Sequence, residues 1–322
     1  MSVDVGVPPA PPPAPVAPAK AVVRPGDRIF FGASIGAGIT ILVVLAGVAL
    51  FLFIEAWPAI TADSADLPNQ ENLVKYIAPL AFGTVLGATI AVIIAAPMAI
   101  AIALYITHYA PPRLSGALGL AIDLLAAVPS IVYGLWGIFV LAPHSVALSR
   151  WLEGNLGFIP FFDGPPSATG RTMLVVGIVL AVMILPVITA VSREVFKQTP
   201  QLHQEAALAL GATRWEMIRM TVLPFGRSGV ISGAMLGLGR ALGETMAVAI
   251  VLSTADVVSF DLISSQNSGT IAANIALDFP ESSGVKVNAL IASGLVLFAI
   301  TLAVNMVARA IINRRRDFSG AN

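Results

Sequence analysis

The chain has 322 residues, of which 57% are hydrophobic and only 11% are charged. Soluble proteins carry about 25% charged residues, so this composition excludes an ordinary soluble protein and indicates a protein of the lipid bilayer. Eighteen basic residues balance eighteen acidic ones, which gives no reason to expect a nucleic-acid partner. The chain has no cysteine and only three widely separated histidines, which excludes disulfides and makes a metal site a poor interpretation.

The first 28 residues differ from everything that follows them. Proline alternates there with alanine and valine, and such a segment favours polyproline II structure and cannot build a core. We therefore expect residues 1–28 to form a Pro-rich, disordered cytoplasmic tail. A cleavable signal peptide is a poor alternative, because the apolar run behind the tail is too long for one.

Six apolar segments come next, each long enough to cross the hydrocarbon core of a bilayer. Alternation of period two is absent from them, and backbone groups in lipid have to be paired within the segment, so the segments are predicted to be helices. The sequence therefore predicts an all-α polytopic membrane protein with six transmembrane helices. Their approximate limits are 30–57, 78–107, 117–142, 172–192, 228–252 and 287–312.

The distribution of lysine and arginine predicts the orientation of these helices. One alternating set of flanks, which includes both ends of the chain and the loop 193–227, holds thirteen basic residues. The other set holds four, and Arg240 lies within a predicted helix. Because basic residues accumulate in cytoplasmic loops, both termini and the loop 193–227 are predicted to be cytoplasmic.

This longest cytoplasmic loop carries a motif with a fixed spacing. Pro200 precedes a helix-forming run, and Gly211 can end that run in a left-handed cap. The loop is therefore predicted to be a short helix, a turn and a second short helix that leads into the fifth transmembrane helix. An amphipathic hairpin that merely joins two helices is the plainer alternative. The residues of the motif are Glu205, Ala206, Ala207, Gly211, Leu223 and Pro224.

The fifth apolar segment contains a charged pair, Arg240 and Glu244. Three glycines precede the pair at intervals of three or four residues, which places all five residues on one helical stripe. Small residues let another helix approach closely, and we expect that helix to belong to a partner subunit. A charge at mid-bilayer costs about 2.5–3.5 kcal/mol, so it should face protein or water. The glycines are Gly229, Gly233 and Gly237.

Two interpretations of this pair remain open. Arg240 and Glu244 are within reach of each other on a continuous helix, so they can form an ion pair that fixes the helix to its neighbour. Alternatively, Arg240 is a cationic station on an anion path, and Glu244 holds or gates the guanidinium. A guanidinium suits a tetrahedral oxyanion because its planar fork donates two parallel hydrogen bonds.

Several stretches resemble known permeases. Residues 205–224 resemble the EAA signature of ABC-transporter permeases, with Thr221 in place of the usual isoleucine. Residues 239–247, Gly-Arg-Ala-Leu-Gly-Glu-Thr-Met-Ala, look like the phosphate-specific permeases of the PstC type. Residues 128–134 and 104–111 point the same way, although His108 stands where an acidic residue is common. The resemblance covers the chain from about residue 30 to its end.

The resemblance implies a domain organisation. A first transmembrane helix with its outer loop (29–76) precedes a MetI-like ABC type I importer permease domain (77–312), which contains the EAA loop (200–224). Residues 313–322 are then a cytoplasmic tail. The family lies in the bacterial plasma membrane and is surrounded by lipid.

The resemblance also implies a function, the import of inorganic phosphate. Such a subunit pairs with a PstA-type permease subunit, a PstB-type ATPase dimer docks on the EAA loop, and a PstS-type protein delivers the phosphate. Arg240 and Glu244 match positions linked to phosphate passage. No catalytic residue, metal ligand or cofactor is expected in this chain, because ATP and magnesium belong to the ATPase and no P-loop occurs in the sequence.

Two other classes of function were weighed against an ATP-driven importer. A gradient-driven secondary transporter or channel for an anion has no need of a loop that docks an ATPase, so the EAA spacing argues against it. A membrane enzyme would need convergent histidines, cysteines or paired carboxylates within its helices, and the sequence offers no such set.

Overall fold

The computed structural model describes residues 25–68 and 72–313, which are mostly helical. The chain divides into two compact units, one ending at Val48 and the other beginning at Ala49. In the first unit, the described residues belong to one helix, the N-terminal part of α1. The predicted tail up to residue 24 and the C-terminal residues 314–322 lie outside the described residues.

The second unit holds the rest of α1 and every other helix and strand described. The helices are α1 (Pro25–Thr61), α2 (Leu73–Leu104), α3 (Pro112–Ala126), α4 (Ser130–Trp136), α5 (Ala142–Leu156), α6 (Met173–Lys197), α7 (Gln201–Ala209), α8 (Arg214–Met217), α9 (Leu223–Leu242), α10 (Met246–Val251), α11 (Ile271–Asp278) and α12 (Val285–Asn313). Two short strands, β1 (Thr254–Ala255) and β2 (Asn267–Ser268), pair in parallel.

The predicted helical membrane fold is confirmed. Among the described residues, five helices are long and apolar enough to cross a bilayer. The remaining predicted segment, 228–252, corresponds to α9 and α10, which are separated by a break. The five helices are Gly26–Thr61, Leu73–Tyr109, Ser130–Leu156, Met173–Lys197 and Val285–Ile311.

The predicted limits of the third span, 117–142, are wrong. The chain forms α3, leaves the helix at residues 127–129 and starts again at Ser130. Pro129 has no N–H to donate, and its ring disfavours a helical conformation at Val128. The long apolar helix therefore begins at Ser130 and extends to Leu156, well beyond the predicted end.

Wide, π-helical turns keep two proline-containing helices continuous. In the turn 137–141 the Ala142 N–H donates to the Gly137 carbonyl, and in the turn 218–222 the Leu223 N–H donates to the Ile218 carbonyl. Each turn is followed closely by a proline, Pro143 or Pro224, whose ring would clash with the carbonyl four residues earlier in a regular helix. The wide turns contain that carbonyl, so α4 continues into α5 and α8 continues into α9.

The core of the second unit is built around α6 from small residues. On one side, buried alanines of α2 (Ala88, Ala91, Ala95 and Ala99) form a ridge that belongs to the same core cluster as α6. On the other side, the glycine stripe of α9 packs against α6. A Cβ atom on Gly233 would lie 3.1 Å from Val191, and one on Gly237 would lie 2.9 Å from Ile188.

This packing corrects one expectation from the sequence. The glycine stripe does bring another helix close, but that helix is α6 of the same chain rather than a partner subunit. The loop 198–222 connects α6 to α9 and makes them antiparallel neighbours. The face of α9 that carries the glycines therefore packs against α6 of the same chain.

Asn267 fixes the segment between α10 and α11 to the start of α6. Its Nδ2 donates to the carbonyls of Ser253 and Ser264, both at 2.9 Å, and its Oδ1 accepts from the Met173 N–H at 3.0 Å. The side chain is only 1% exposed, and a buried amide is stabilising only when its donors and acceptor are paired. Asn267 therefore holds this irregular segment in one conformation.

The contact between α9 and α6 predicts an asymmetric effect of two glycine substitutions. Gly237→Val should lower the free energy of unfolding by about 1–3 kcal/mol, because the new side chain collides with Ile188. Gly239→Val is the matched control, since nothing lies within 4 Å of a Cβ atom at Gly239. Thermal unfolding of the detergent-solubilised variants measures the difference, and equal losses at both positions would contradict this packing.

Candidate functional site

The fifth apolar segment breaks close to the level of the middle of α6, one of the helices long enough to cross a bilayer. α9 ends at Leu242, residues 243–245 are not helical, and α10 starts at Met246. Gly237, less than two turns before the break, packs against Ile188 near the middle of α6. Irregular backbone at this depth is tolerated only where it is buried in protein or lines a water-filled cavity. The break therefore marks a candidate functional site.

Glu244 occupies this break and caps the second half of the helix. Its Oε1 accepts a hydrogen bond from the Ala247 N–H at 3.1 Å, and the residue is 8% exposed. A carboxylate at a helix N-terminus satisfies a free N–H group and interacts favourably with the helix dipole. The Glu244 carboxylate therefore already has a hydrogen-bond partner at the start of α10.

The predicted placement of Arg240 and Glu244 on one continuous helix is wrong. Gly243 ends α9 between them, and residues 243–245 are not helical. Both side chains belong to the described residues, and no ion pair within 4 Å joins them. The two charged residues lie at the same break but have different partners.

Arg240 is half-buried and keeps most of its hydrogen-bond donors unused. Its Nη1 donates to the Ala126 carbonyl at 3.4 Å, at the C-terminal end of α3, where a cation is favourable. Its Nε and Nη2 have no hydrogen-bond partner among the described residues, and they are not enclosed by protein. The guanidinium therefore retains donors that a ligand can use.

A second break in the chain lies beside Arg240. α3 ends at Ala126 and α4 begins at Ser130, and the Tyr133 hydroxyl donates to the Leu125 carbonyl at 2.8 Å. The α4 and α10 helices pack closely against each other at Gly134, where an added Cβ atom would lie 2.9 Å from the Cα atom of Ala247. Sequence analysis missed the part played by Tyr133, whose partner is set by the tertiary fold.

Two other arginines near the membrane ends have structural partners. Arg193 donates from Nη2 to both carboxylate oxygens of Asp123 at 3.1 Å, which ties α6 to α3. Arg171 donates to backbone carbonyls at the end of α10. The pair of Arg193 and Asp123 was not predicted, because a contact across 70 residues leaves no local pattern.

The predicted helix, turn and helix of the loop 193–227 are confirmed. Pro200 precedes α7, and Gly211 follows it with a φ of +87°, a conformation that favours glycine. The Ala212 N–H donates to the Ala207 carbonyl, which closes the C-terminal turn of α7. We call residues 200–224 the coupling loop.

The coupling loop is anchored by residues 217–222 and exposes apolar side chains on α7, in the turn that follows α7 and on α8. Met217, Ile218 and Val222 are buried in one cluster with Phe196 of α6, whereas Leu210 is 90% exposed. Leu202, Leu208 and Trp215 are exposed as well. Exposed apolar residues grouped in this way indicate an interaction surface. Of the motif residues, Glu205, Ala206, Gly211 and Pro224 are exposed, and Ala207 and Leu223 are half-buried.

Thr213 and Glu216 form a capping box at the start of α8. The Glu216 N–H donates to Thr213 Oγ1 at 3.3 Å, and the Thr213 N–H donates to Glu216 Oε2 at 2.8 Å. The sequence carries the signal for this feature, a threonine followed three residues later by a glutamate, and our sequence analysis overlooked it. The box sets the direction in which α8 leaves the turn.

The chain belongs to the family of inner membrane components of binding-protein-dependent transport systems, whose sequence model matches residues 95–317. It is a multi-pass membrane protein of this family. Among its relatives, the phosphate transport system permease protein PstC 2 of Mycobacterium tuberculosis is 47% identical over 300 residues, which cover 89% of this chain and 92% of the relative. The phosphate transport system permease protein PstC of Mycobacterium leprae is also 47% identical, over 94% of this chain and 98% of the relative.

A solved structure shares the fold. The bacterial alginate ABC transporter, determined in complex with an alginate-bound periplasmic protein, contains a chain that matches with a TM-score of 0.60. The match covers 92% of this chain and 97% of that chain at 15% sequence identity. At this identity the likeness establishes the MetI-like arrangement of helices as the fold of this chain.

The capping box predicts a pH-dependent start of α8. The hydrogen bonds from the backbone and side chain of Thr213 lower the pKa of Glu216. A lowered pKa means that this stabilisation is complete above the ordinary carboxyl range and is lost as the pH falls through the lowered pKa.

Amide hydrogen exchange at the start of α8, corrected for its intrinsic pH dependence, measures this transition. Protection should drop at acidic pH in the natural protein. Glu216→Gln, whose side chain does not titrate, should lack the transition, and the same pH profile in both proteins would contradict the assignment.

Proposed function

We propose that this chain is the membrane-spanning permease subunit of an ATP-driven importer of inorganic phosphate. Membership of the binding-protein-dependent family and the phosphate-transport names of the relatives support this function. The observation that carries the site is the Arg240 guanidinium, which lies at the break in the fifth apolar segment with unused donors and no carboxylate within ion-pair distance among the described residues. Family membership also argues against a gradient-driven transporter.

Arg240 acts as a weak and reversible station for phosphate. An oxyanion that enters the membrane loses water, and a fixed cation in a medium of low dielectric constant offsets that loss. The planar guanidinium donates two parallel hydrogen bonds to two phosphate oxygens. The hydrogen bond from its Nη1 to the Ala126 carbonyl, at 3.4 Å, is long enough to yield to a ligand. Glu244, at the same break, adds negative charge that keeps the hold on phosphate weak enough for release.

The coupling loop transmits the work of ATP hydrolysis from another chain. Exposed apolar residues on α7 dock into a PstB-type ATPase dimer, which supplies the ATP and magnesium sites. The α8 helix continues through the wide turn 218–222 into α9, and α9 carries Arg240. Closure of the ATPase dimer therefore acts on the substrate station through one continuous helix.

The remaining partners and the location follow from the same function. A PstA-type permease subunit completes the path across the bacterial plasma membrane, and a PstS-type protein brings phosphate to the side opposite the coupling loop. Both termini lie in the cytoplasm. The permease domain spans 77–312, and this chain is a transport subunit that needs neither a cofactor nor a metal of its own.

Substitution of Arg240 tests the station. Arg240→Gln should lower uptake of radiolabelled phosphate at least about tenfold, because hydrogen bonds to a charged group contribute about 1.5–3 kcal/mol. Arg240→Lys should also be impaired, since an ammonium lacks the planar fork. Arg309→Gln, an exposed position on α12, is the matched control. Uptake is measured in proteoliposomes that contain the assembled complex and the binding protein.

The subunits must still co-purify for this result to bear on transport. Normal uptake by Arg240→Gln would mean that Arg240 serves only to pack helices together. Dissociation of the complex would favour a purely structural role. An intact Arg240→Gln complex that hydrolyses ATP without moving phosphate is the outcome expected from the station.

Charge reversal on α7 tests the coupling loop. Glu205→Lys should abolish phosphate uptake and weaken co-purification of the ATPase, because Glu205 is exposed on the docking face. Gly211→Asp should have the same effect, since a residue with a side chain is strained at a φ of +87°. Glu153→Lys, on the exposed surface of α5, is the control and should retain uptake.

Membrane insertion has to be intact in these variants. The chain has no cysteine, so a single cysteine introduced near Thr213 reports the side on which the coupling loop lies. It should react with an impermeant thiol reagent only from the cytoplasmic side. Reaction only from outside would overturn the proposed orientation.

A further inference from the structure

The ion pair of Arg193 with Asp123 joins a helix of the core to a helix that is only loosely packed. α6 contributes many residues to the main core cluster, whereas α3 has just two buried residues, Gly119 and Ile122. Leu124, in the last turn of α3, is 62% exposed. Apolar packing within this chain therefore holds α3 weakly, and the position of α3 depends on its polar contacts.

A single nitrogen atom makes both contacts of this ion pair. Arg193 Nη2 donates to the two carboxylate oxygens of Asp123, each at 3.1 Å. The Arg193 side chain is 14% exposed and that of Asp123 is 49% exposed. Because one partner is largely buried, water and salt screen this pair less than a pair on the surface.

Gly119 provides the space in which the Arg193 guanidinium lies. It precedes Asp123 by one helical turn on the same face of α3, and a Cβ atom at this position would collide with Arg193 Nη1 and lie 3.4 Å from its Cζ. At Gly116, nearly one turn earlier, nothing lies within 4 Å of an added Cβ atom. We call Gly119, Asp123 and Arg193 the α3 clamp.

The α3 clamp completes a triangle of three helices around Arg240. α6 carries Arg193, and α9 packs against α6 through its glycine stripe. α9 carries Arg240, whose Nη1 donates to the Ala126 carbonyl of α3 at 3.4 Å. Asp123 precedes Ala126 by three residues, which is about 4.5 Å along the helix. The clamp therefore fixes α3 within one turn of the carbonyl that meets the guanidinium.

We propose that Asp123 and Arg193 are positioning residues for the Arg240 station, because they fix the distance between its guanidinium and the Ala126 carbonyl. This inference rests on the proposed function. At 3.4 Å the carbonyl orients the guanidinium without holding it firmly. Without the clamp the end of α3 is free to move, and the carbonyl either leaves the guanidinium or approaches it and competes with phosphate. Arg193 itself does not contact phosphate.

Substitution of Arg193 by methionine tests the clamp with little damage to the fold. Methionine keeps an apolar stem, and the Asp123 side chain that remains is half-exposed and stays hydrated. Phosphate uptake and ATP hydrolysis are measured in proteoliposomes that contain the assembled complex and the binding protein. Arg193→Met should lower the phosphate taken up per ATP about tenfold, the effect of losing one hydrogen bond to a charged group. ATP hydrolysis and co-purification should stay normal.

Substitution of Arg193 by lysine separates positioning from contact with phosphate. Since one nitrogen makes both contacts to Asp123, an ammonium can replace the guanidinium. Arg193→Lys should therefore keep the phosphate taken up per ATP within about twofold of the natural value, unlike Arg240→Lys, where the planar fork is needed. A loss as large as that of Arg193→Met would place Arg193 on the phosphate path and overturn the positioning role.

Two glycine variants test the clamp without removing a charge. Gly119→Ala should lower the phosphate taken up per ATP by less than Arg193→Met does, because the new methyl group displaces the guanidinium. Gly116→Ala is the matched control and should be neutral. If the Arg193→Met complex does not assemble, Gly119→Ala decides: an assembled complex with a lowered ratio supports the proposal, and one with a normal ratio overturns it. Failure of both to assemble would mean that the clamp only holds the fold, which also overturns it.

The outcomes distinguish this inference from the proposed function. A natural complex that takes up no phosphate overturns both. A normal ratio of phosphate to ATP for Arg193→Met in a working complex overturns the positioning role alone. The same holds if uptake and ATP hydrolysis fall together, since an ion pair that only stabilises the fold would lower both.

Discussion

Backbone polar groups inside a membrane have to find partners within the protein, and this requirement shapes the centre of the molecule. The chain interrupts its helices twice beside Arg240, at residues 127–129 and 243–245. Glu244 accepts from an N–H group at the start of α10, and Arg240 and Tyr133 donate to carbonyls in the last turn of α3. The guanidinium that stabilises one of these breaks is thus also the charge that can meet an anion.

The position of these breaks depends on small residues around α6. Alanines of α2 and glycines of α9 allow both helices to approach α6 closely, and van der Waals contact is the main attraction between helices in lipid. α9 is therefore fixed along nearly its whole length up to Gly237. The Arg240 guanidinium, three residues further on, is therefore held at a defined position. A loosely packed helix would not hold it there.

The sequence predicted those features whose signal is local and strong. The apolar run at 172–192 and the spacing of the coupling loop each correspond to an observed element, since length and hydropathy decide the first and helix-capping chemistry decides the second. The third span was misplaced because hydropathy outweighed the proline at 129. Continuity of the helix through Gly243 was assumed for the same reason, although glycine permits a break without altering the hydropathy.

Contacts between residues that are far apart in the sequence leave no local sequence pattern from which they could be predicted. Asp123 and Arg193 come together only when α3 and α6 are assembled. Single charged residues at membrane ends are common, so nothing in the sequence separates these two from their neighbours. Orientation of a side chain and absence of a partner are properties of the folded chain, and they decide which of these residues are available to a ligand.

The continuity of α8 with α9 has a mechanical consequence. From Arg214 to Arg240 the chain is helical without interruption, so the two residues are the ends of a stiff rod about 39 Å long. Because α9 is packed on α6, the two helices have to tilt together. A tilt of about 10° about one end of the rod displaces the other end by about 7 Å at 1.5 Å per residue. A small angular movement of the coupling loop would thereby become a large translation at Arg240.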